Sequence, residues 1–436
     1  MGEGAGKSRA RRGRTTFAHA PARPYSELMG RRSRRASANL TPAPGEVLTL
    51  RCGPIVSGGA SLAHLEDGRV VLVAFAAPGE LVEATVDRPH ADYVEAHVTK
   101  VIEPSQDRVE PPCPVFGQCG GCQLQHLAYP AQLAAKDAVV REQLRRIGHL
   151  DDSVVRPIRG AEHPWAYRNH VRFSTGKLYG DVGFMARGGR PLLKIDHCPI
   201  ADPWVNELLP RLQGRGSGLH QIQVRRAATT GSFLVYPAIP GMEAETGQKA
   251  YLEELAGTKF QVSASAFFQV NHSQAEEMAR LVGEALPERG ELLVDAFAGV
   301  GTFAVLFANR FRRVLAIEES HAAAKDAHEN VAQAPNVQVK AGKVEDILPL
   351  LDTAPDAILL DPPRPGCYPT VLEAIIRFRP SVVVYVSCNP ATLARDLRVL
   401  VDGGYRVDHV TPLDMFPQTG HIECVTRLSL ADPSPA

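Results

Sequence analysis

Hydrophobic and polar positions alternate differently in different parts of the chain. Between residues 41 and 102, short runs rich in β-branched residues are separated or flanked by turns that contain glycine. Several short strands with turn residues between them are typical of a small β-barrel. The clearest runs begin at Val70, Leu81 and Val94. We therefore expect an N-terminal β-barrel.

A second pattern begins near residue 259, where apolar strands alternate with helical stretches. The predicted strands lie at 292–295, 314–317, 337–340, 357–360 and 382–386. This alternation predicts a parallel sheet with crossover helices, as in Rossmann-like α/β domains. Between the two regions the pattern mixes strands and helices that cannot be ordered from sequence, apart from a helix predicted over 130–147.

These patterns divide the chain into four predicted segments. We expect a disordered basic tail at 1–40, a barrel at 41–102, a central α/β domain at 103–258 and a larger α/β domain at 259–430. The tail carries ten basic and two acidic side chains, although the whole chain has a net charge of zero. A basic arm on a balanced body indicates contact with a polyanion. An extension without such a role is an equal alternative.

Composition narrows the class of protein. In a chain of 436 residues, 44% hydrophobic and 22% charged residues are ordinary for a globular protein. No apolar run is long enough to span a bilayer, and residues 1–40 contain no apolar signal-peptide core. We expect a cytoplasmic protein without membrane contact, whose eight Cys are not paired in disulfides.

A glycine-containing turn follows the first strand of the larger domain. Gly299 and Gly301 lie between this strand and a predicted helix, and Glu318 ends the next strand. Glycine lets the backbone approach a ligand closely, and a carboxylate at the next strand can accept the hydroxyls of a ribose. The pattern indicates an adenosine-type cofactor but does not say which one, and a plain strand–helix turn is the structural alternative.

Two further strand ends carry reactive side chains. Asp361 follows the fourth strand and precedes two prolines, which give the loop one shape. Doubly wound folds bind their ligands at this edge, and a pinned loop there suits S-adenosylmethionine (SAM) better than a nicotinamide cofactor. Cys388 follows the fifth strand at the same edge. A Cys in this position can act as a nucleophile, whereas a buried packing thiol is the alternative.

A Cys-rich loop lies at the start of the central domain. Cys113, Cys119 and Cys122 have the spacing C-x5-C-x2-C, and Cys198 is the best candidate for a fourth thiol. Four Cys suit either a structural zinc ion or a [4Fe–4S] cluster, and the spacing does not separate the two.

Taken together, these motifs resemble those of the TRAM-domain 23S rRNA uracil-5-methyltransferases. The resemblance covers about residues 41–428. It is carried by the segments at 108–113, 119–126, 167–169, 268–271, 361–364, 387–390 and 416–423, together with the glycine-containing turn.

The resemblance implies a fold, cofactors and partners. It implies a class I methyltransferase domain, a TRAM-like barrel of the OB type that binds RNA, and a central domain whose four Cys hold a [4Fe–4S] cluster. The expected partner is 23S rRNA, and we expect a monomer. Because some related tRNA enzymes keep the cluster, a tRNA substrate stays open.

The resemblance also implies roles for individual residues. Cys388 matches the nucleophile and Glu423 the base that removes a proton. Five residues match positions that bind SAM, although Thr302 stands where relatives often carry Asn. They are Gln269, Phe297, Thr302, Glu318 and Asp361. A non-catalytic RNA-binding protein is the alternative from another class, and the intact pair Cys388 and Glu423 argues against it.

Overall fold

The structure is a computed structural model that describes Met1 and residues 42–189, 191–242 and 245–431. Apart from Met1, the basic tail predicted at 1–40 lies outside the described residues. Within the described part of the chain, no helix combines the length and the apolar composition needed to cross a membrane.

The first five strands form a curled sheet. They are β1 (Val47–Arg51), β2 (Ser61–His64), β3 (Val70–Ala74), β4 (Leu81–Pro89) and β5 (Tyr93–Glu103), in the order β1-β4-β5-β3-β2. Strands β3 and β5 are parallel, and the other neighbours are antiparallel. The chain after β1 turns back onto β2, where Gly53 N–H donates to the Leu62 carbonyl at 2.6 Å. The sheet is therefore a partly closed barrel, which confirms the predicted β-barrel.

The central region combines two helices with an antiparallel sheet and a hairpin. Its elements are α1 (Tyr129–Arg146), β6 (His170–Thr175), β7 (Val182–Met185), β8 (Leu192–Lys194), α2 (Pro203–Leu212), β9 (Gln221–Arg226), β10 (Phe233–Tyr236), β11 (Ala250–Leu255) and β12 (Thr258–Ser263). The five-stranded sheet has the order β10-β9-β6-β7-β8. Leucines of α2 pack on Phe173 and Ile222 on one face of this sheet. The helix predicted over 130–147 is α1, observed one residue earlier at each end.

The largest sheet has seven strands in the order β15-β14-β13-β16-β17-β19-β18. Its elements are α3 (His272–Ala285), β13 (Gly290–Ala296), α4 (Thr302–Leu306), β14 (Phe311–Glu318), α5 (His321–Asn330), β15 (Val337–Ala341), α6 (Val344–Ile347), β16 (Ala357–Leu360), α7 (Pro369–Phe378), β17 (Val382–Ser387), α8 (Pro390–Asp402), β18 (Tyr405–Leu413) and β19 (Glu423–Leu430). Strands β13 to β17 are parallel, and β19 runs antiparallel to both of its neighbours. All five predicted strands are present within three residues of their predicted bounds, which confirms the Rossmann-like α/β fold.

Strands β13 and β16 are neighbours where the order of the parallel strands reverses. The chain runs outward from β13 to β14 and β15, and then returns to β16 on the other side of β13. Crossover helices leave a crevice at such a point, outside the carboxyl ends of the strands. Strands β16 and β17 are buried along their whole length, so their near-continuous apolar sequence reflects coverage on both faces.

Residues 414–420, between β18 and β19, connect the three regions. Lys136 of α1 donates to Asp414 Oδ1 at 2.5 Å, and the Tyr129 hydroxyl donates to Asp414 Oδ2 at 3.0 Å. Both charged side chains are buried, with 2% of the Lys136 side chain and none of the Asp414 side chain exposed. A buried ion pair needs such extra partners, because water no longer solvates the charges.

The same segment contacts the Cys-rich loop and the barrel. The Gln418 carbonyl accepts from the N–H groups of Gln123 and Leu124, each at 3.0 Å. A Cβ atom added at Gly420 would lie 2.4 Å from the carbonyl carbon of Gly58, in a turn of the barrel. Backbone therefore meets backbone there without room for a side chain, and the segment before Glu423 is held by all three regions.

We predict that Lys136→Met lowers the free energy of unfolding by about 3–5 kcal/mol, because it leaves the Asp414 carboxylate buried without its cation. The double variant Lys136→Met/Asp414→Leu should recover part of that loss. Lys100→Met, which removes an exposed pair with Glu83, serves as the control and should change stability by less than about 1 kcal/mol. Thermal and urea denaturation measure these differences. If Lys136→Met were as stable as Lys136→Met/Asp414→Leu, the unpaired Asp414 carboxylate would not be the cause of the loss.

Candidate active site

A cavity of about 900 Å³ lies outside the carboxyl ends of the parallel strands. Its lining includes every residue that the sequence predicted for cofactor binding or catalysis. These are Gln269, Phe297, Thr302, Glu318, Asp361, Cys388 and Glu423. The structure thus brings together side chains from six separate places in the sequence.

The glycine-containing turn forms the floor of the cavity next to β13. Gly299 has a φ of +56° and Gly301 a φ of +83°, a region that L-residues rarely adopt. Phe297 also has a positive φ of +67°, and such strain in a residue other than glycine is common at binding sites. A Cβ atom added at Gly299 would meet no atom within 4 Å, so this glycine faces open space in the cavity.

Two polar side chains offer acceptors to a ligand. Glu318 accepts the Gly299 N–H through Oε2 at 2.8 Å and the Ser320 N–H through Oε1 at 2.6 Å, which fixes its carboxylate at the end of β14. Gln269 Oε1 is buried and has no hydrogen-bond partner among the described residues. An orphaned acceptor in a cavity wall suits a ligand with amino or hydroxyl donors, and SAM carries both.

Carboxyl groups give the cavity a negative character. Burial, followed by the charges of Asp361 and Glu318, raises the pKa of Asp295 to about 8. Burial and the charge of Glu318 raise the pKa of Asp361 to about 7. Asp295 keeps one satisfied oxygen, which accepts the Ala304 N–H at 2.8 Å, while its Oδ1 lacks a partner in the described structure. A cation in the cavity would relieve this repulsion, and SAM carries a sulfonium and an ammonium group.

Cys388 and Glu423 lie at neighbouring strand ends. Strands β17 and β19 are antiparallel, and Ser387 is paired with Cys424. Cys388 directly follows Ser387, and Glu423 directly precedes Cys424, so the two residues lie at the same edge of the sheet. The Cys388 side chain is half-buried, and Glu423 is 6% exposed.

Both groups are protonated more readily than usual. Burial, together with the charges of Glu423 and Asp361, raises the pKa of Cys388 to about 11. Burial, and then the charge of Asp361, raises the pKa of Glu423 well above its ordinary value. The guanidinium of Arg364 acts in the opposite direction on both groups. The Cys388 thiol and the buried Glu423 carboxyl thus share one cavity. Among the described residues that line it, Arg364 is the single cation.

Sequence reasoning missed the roles of Arg364 and Asp295. The backbone carbonyl of Arg364 accepts from Asn389 Nδ2 and from Thr392 Oγ1, both at 3.1 Å. These donors come from the segment directly after Cys388, so the Asp361 loop and the Cys388 loop hold each other. Arg364 Nη2 lies 3.1 Å from His421 Nδ1. Only their positions in the sequence could have indicated these two residues. Arg364 directly follows the two prolines, and Asp295 stands next to the end of β13.

The four predicted metal ligands line a second cavity, of about 210 Å³. Cys113, Cys119, Cys122 and Cys198 all contribute to its wall. Their thiols influence one another, since the charges of the other three raise the pKa of Cys122 beyond the effect of its burial. No group of three His, Cys, Asp or Glu side chains in the described ranges meets closely enough to hold one metal ion. Cys52, Cys367 and Cys424 are buried elsewhere, as expected of packing thiols.

Comparison with known proteins places the chain in a family. Residues 253–346 and 339–430 match the family model described as tRNA (Uracil-5-)-methyltransferase. An uncharacterized RNA methyltransferase of Thermosynechococcus vestitus is 34% identical, covering 88% of this chain and 98% of the relative. One from Halalkalibacterium halodurans is also 34% identical, covering 88% of this chain and 97% of the relative.

A solved structure shares the fold. The Pyrococcus abyssi tRNA (uracil-54, C5)-methyltransferase, in complex with S-adenosyl-L-homocysteine, has a TM-score of 0.70 and 24% identity, and the match covers 87% of this chain and all of that one. The larger domain is thus a class I methyltransferase fold. The chain belongs to the family of SAM-dependent RNA (uracil-5-)-methyltransferases and is an enzyme of that class.

We predict that Gly299→Ala lowers the affinity for SAM about tenfold or more, because it adds a methyl group to the cavity floor and strains the turn whose Gly299 N–H holds the Glu318 carboxylate. Isothermal titration with SAM measures the change. Gly68→Ala is a matched control, since Gly68 also has a positive φ and open space around it but lies in a turn of the barrel. Both variants should lower the free energy of unfolding by about 1 kcal/mol. If both bound SAM with the same affinity, the Gly299 turn would not approach the cofactor.

Proposed function

We propose that this enzyme methylates carbon 5 of a uridine in 23S rRNA through a transient covalent bond from Cys388. The observation that carries the proposal is the shared cavity, in which Cys388 and Glu423 stand at adjacent strand ends beside the predicted cofactor residues. In this proposal Gln269, Phe297, Thr302, Glu318 and Asp361 bind SAM, and the chain acts as a monomer.

The chemistry requires both reacting residues. Carbon 5 of uracil is a weak nucleophile, and a thiolate that adds to carbon 6 pushes an electron pair into the ring to form an enolate. SAM, when bound, supplies the methyl group that carbon 5 attacks. Carbon 5 then carries a methyl group and a proton, and the Glu423 carboxylate removes that proton. The electron pair of the broken C–H bond re-forms the ring double bond and expels the Cys388 thiolate.

The electrostatics of the cavity fit this sequence. In the free protein, burial and neighbouring carboxyls favour the protonated forms of Cys388 and Glu423. A cation in the cavity lowers both pKa values, since opposite charge favours the ionised form. The positive cofactor thus favours the thiolate, which is the reactive form of Cys.

The first prediction of this proposal concerns the two reacting side chains. Cys388→Ala should abolish methyl transfer. Glu423→Gln should still form the adduct and transfer the methyl group, but it should accumulate an enzyme–RNA species that survives denaturing gels, because the carbon 5 proton stays in place. Transfer from radiolabelled SAM and gel mobility measure both outcomes. Cys52→Ala and Glu291→Gln, which alter a thiol and a carboxylate outside the cavity, are the controls. Full activity of Cys388→Ala would end the covalent mechanism.

The proposal assigns 23S rRNA as substrate because the chain resembles the ribosomal branch in its TRAM-like barrel and Cys-rich loop. The bounds 41–102, 103–258 and 259–430 for the barrel, the central domain and the methyltransferase domain belong to the same proposal. A tRNA substrate is the second candidate, favoured by the description of the matching family model and by the Pyrococcus abyssi structure.

One assay separates these substrates. The purified enzyme is incubated with labelled SAM and with equal amounts of unmodified 23S rRNA or unmodified tRNA, and mass mapping locates 5-methyluridine. We expect the product in the rRNA. Product in tRNA alone would transfer the proposal to the second candidate, and RNA binding without methylation of either RNA would support a non-catalytic role.

We also propose that Cys113, Cys119, Cys122 and Cys198 hold a [4Fe–4S] cluster, for which four thiols around one cavity supply the ligands. Protein purified without oxygen should be brown, with about four iron and four sulfide per chain. Cys198→Ser should lose the colour and most of the iron, whereas Cys52→Ser should keep both. A colourless protein with one zinc per chain would replace the cluster with a zinc site.

A further inference from the structure

The loop between β16 and α7 forms one wall of the reaction cavity. Asp361, Arg364 and Gly366 of this loop line the cavity together with Cys388. The loop is irregular apart from a turn at 364–365. Its two prolines restrict only its first part, because each fixes the backbone at its own position. Contacts from outside the loop therefore decide where Arg364 lies relative to Cys388.

Helix α8 supplies these contacts from one of its faces. Asn389, which caps the helix, and Thr392 both donate to the Arg364 carbonyl. Arg395 Nη2 donates to the Pro365 carbonyl at 2.8 Å. Positions three or four apart on a helix share a face, so these side chains reach the same stretch of the loop. One helix thus holds two successive carbonyls of the cavity wall.

Asp396 joins this helix to the loop and to the sheet, and it is fully buried. Its Oδ2 accepts from the Cys367 N–H and from the Tyr385 hydroxyl, each at 2.8 Å. Its Oδ1 accepts from Arg395 Nε at 2.8 Å. Tyr385 belongs to β17 and is itself fully buried. The partners satisfy a carboxylate that water cannot reach, and the same bonds connect the loop, α8 and β17.

The loop passes so close to Asp396 that no side chain would fit between them. Gly366 has a φ of +81°, and a Cβ atom added there would lie 2.5 Å from Asp396 Oδ2 and 2.6 Å from Arg395 Nη2. Both the backbone conformation and the lack of space favour glycine at this position. A larger residue would separate the loop from the carboxylate, so the sequence specifies this contact.

The position of Arg364 matters to Cys388 because their environment is otherwise acidic. Burial, followed by the charges of Glu423 and Asp361, raises the pKa of the Cys388 thiol, and the charge of Arg364 lowers it. The attraction between opposite charges weakens as the distance between them grows. A loop that moved Arg364 away would therefore leave the two carboxyls unopposed at the thiol.

We propose that Asp396 is a positioning residue, which acts through the loop at 361–367 to hold the Arg364 guanidinium beside Cys388. Asp396 is not among the described residues that line the reaction cavity, so it acts from behind the cavity wall. This inference rests on the proposed function, because it takes Cys388 as the nucleophile. Its test measures the thiol directly and needs no RNA.

A double-mutant cycle on the full-length enzyme tests the assignment. Each variant is treated with iodoacetamide at about pH 8, and mass spectrometry of the Cys388 peptide gives the alkylation rate, which depends on the thiolate fraction. Asp396→Ala should slow alkylation about 3- to 10-fold, as for a rise of about 0.5–1 in the pKa of the thiol. In an Arg364→Met background the same change should alter the rate less than about twofold, because the cation through which it acts is gone.

Milder variants keep the test independent of folding. Asp396→Asn keeps an acceptor for the Cys367 N–H, and its Cys388 should react faster than that of Asp396→Ala. Thr392→Val removes only the hydroxyl that bonds the Arg364 carbonyl and should also slow alkylation, whereas Thr392→Ser should react like the wild type. If Asp396→Ala does not fold, the cycle is run with Thr392→Val in its place.

Asp356→Ala is the matched control for a lost carboxylate. Asp356 Oδ2 accepts from the N–H groups of Glu291 and Leu292, at 2.7 Å and 2.8 Å. These bonds lie at the amino ends of β13 and β16, at the edge of the sheet opposite to the cavity. Asp356→Ala should therefore lower stability but leave the alkylation rate of Cys388 unchanged in both backgrounds.

The cycle distinguishes the possible outcomes. If Asp396→Ala changes the rate by the same factor with and without Arg364, or changes it in neither, the positioning role is refuted. Faster alkylation of Asp396→Ala in the wild-type background would refute it as well. The proposed function is tested separately, since a wild-type enzyme that shows the expected coupling but methylates no RNA would refute that function alone.

Discussion

The buried ion pair between Lys136 and Asp414 fixes the segment on which the active site depends. Asp414 begins residues 414–420, and Glu423 follows three positions after that segment. The pair is formed by α1 of the central region and a segment of the methyltransferase sheet, so neither region satisfies its own charge. Removal of either region would leave a charge without its partner in an apolar setting, which is costly. The placement of the carboxylate at the reaction cavity therefore depends on contacts between regions.

Electrostatic strain in the cavity gives the free enzyme a preference for a positive ligand. Burial raises the pKa values of Asp295 and Asp361, the charge of Glu318 adds to both shifts, and the charge of Asp361 adds to that of Asp295. Burial, followed by the charges of Glu423 and Asp361, disfavours the Cys388 thiolate. In the proposed mechanism, ligand binding and activation of Cys388 are coupled, because one positive charge acts on both the carboxyls and the thiol. In the proposed mechanism, the Cys388 thiol stays protonated until a positive ligand enters the cavity.

The sequence predicted the parallel sheet well because each of its strands is a short apolar run followed by a helix. It also selected seven residues that line one cavity, and six of them stand at or near strand ends and loops with distinctive neighbours. Contacts between distant segments could not be predicted. The 35 positions from Cys388 to Glu423 contain α8 and β18, and only the antiparallel insertion of β19 brings the two residues together. In the central region, the order β10-β9-β6-β7-β8 depends on pairings that local periodicity does not encode.

The contact of Gly420 with the Gly58–Gly59 turn limits how this enzyme can change its target during evolution. Most contacts adapt by exchanging one side chain for another, but at the contact between Gly420 and Gly58 backbone meets backbone and no side chain is available to exchange. A barrel acquired from another protein would fit here only if the turn that faces Gly420 also consisted of residues without side chains. Diversity in substrate choice should therefore arise on the outer strands of the barrel and on surface loops, while this junction stays the same.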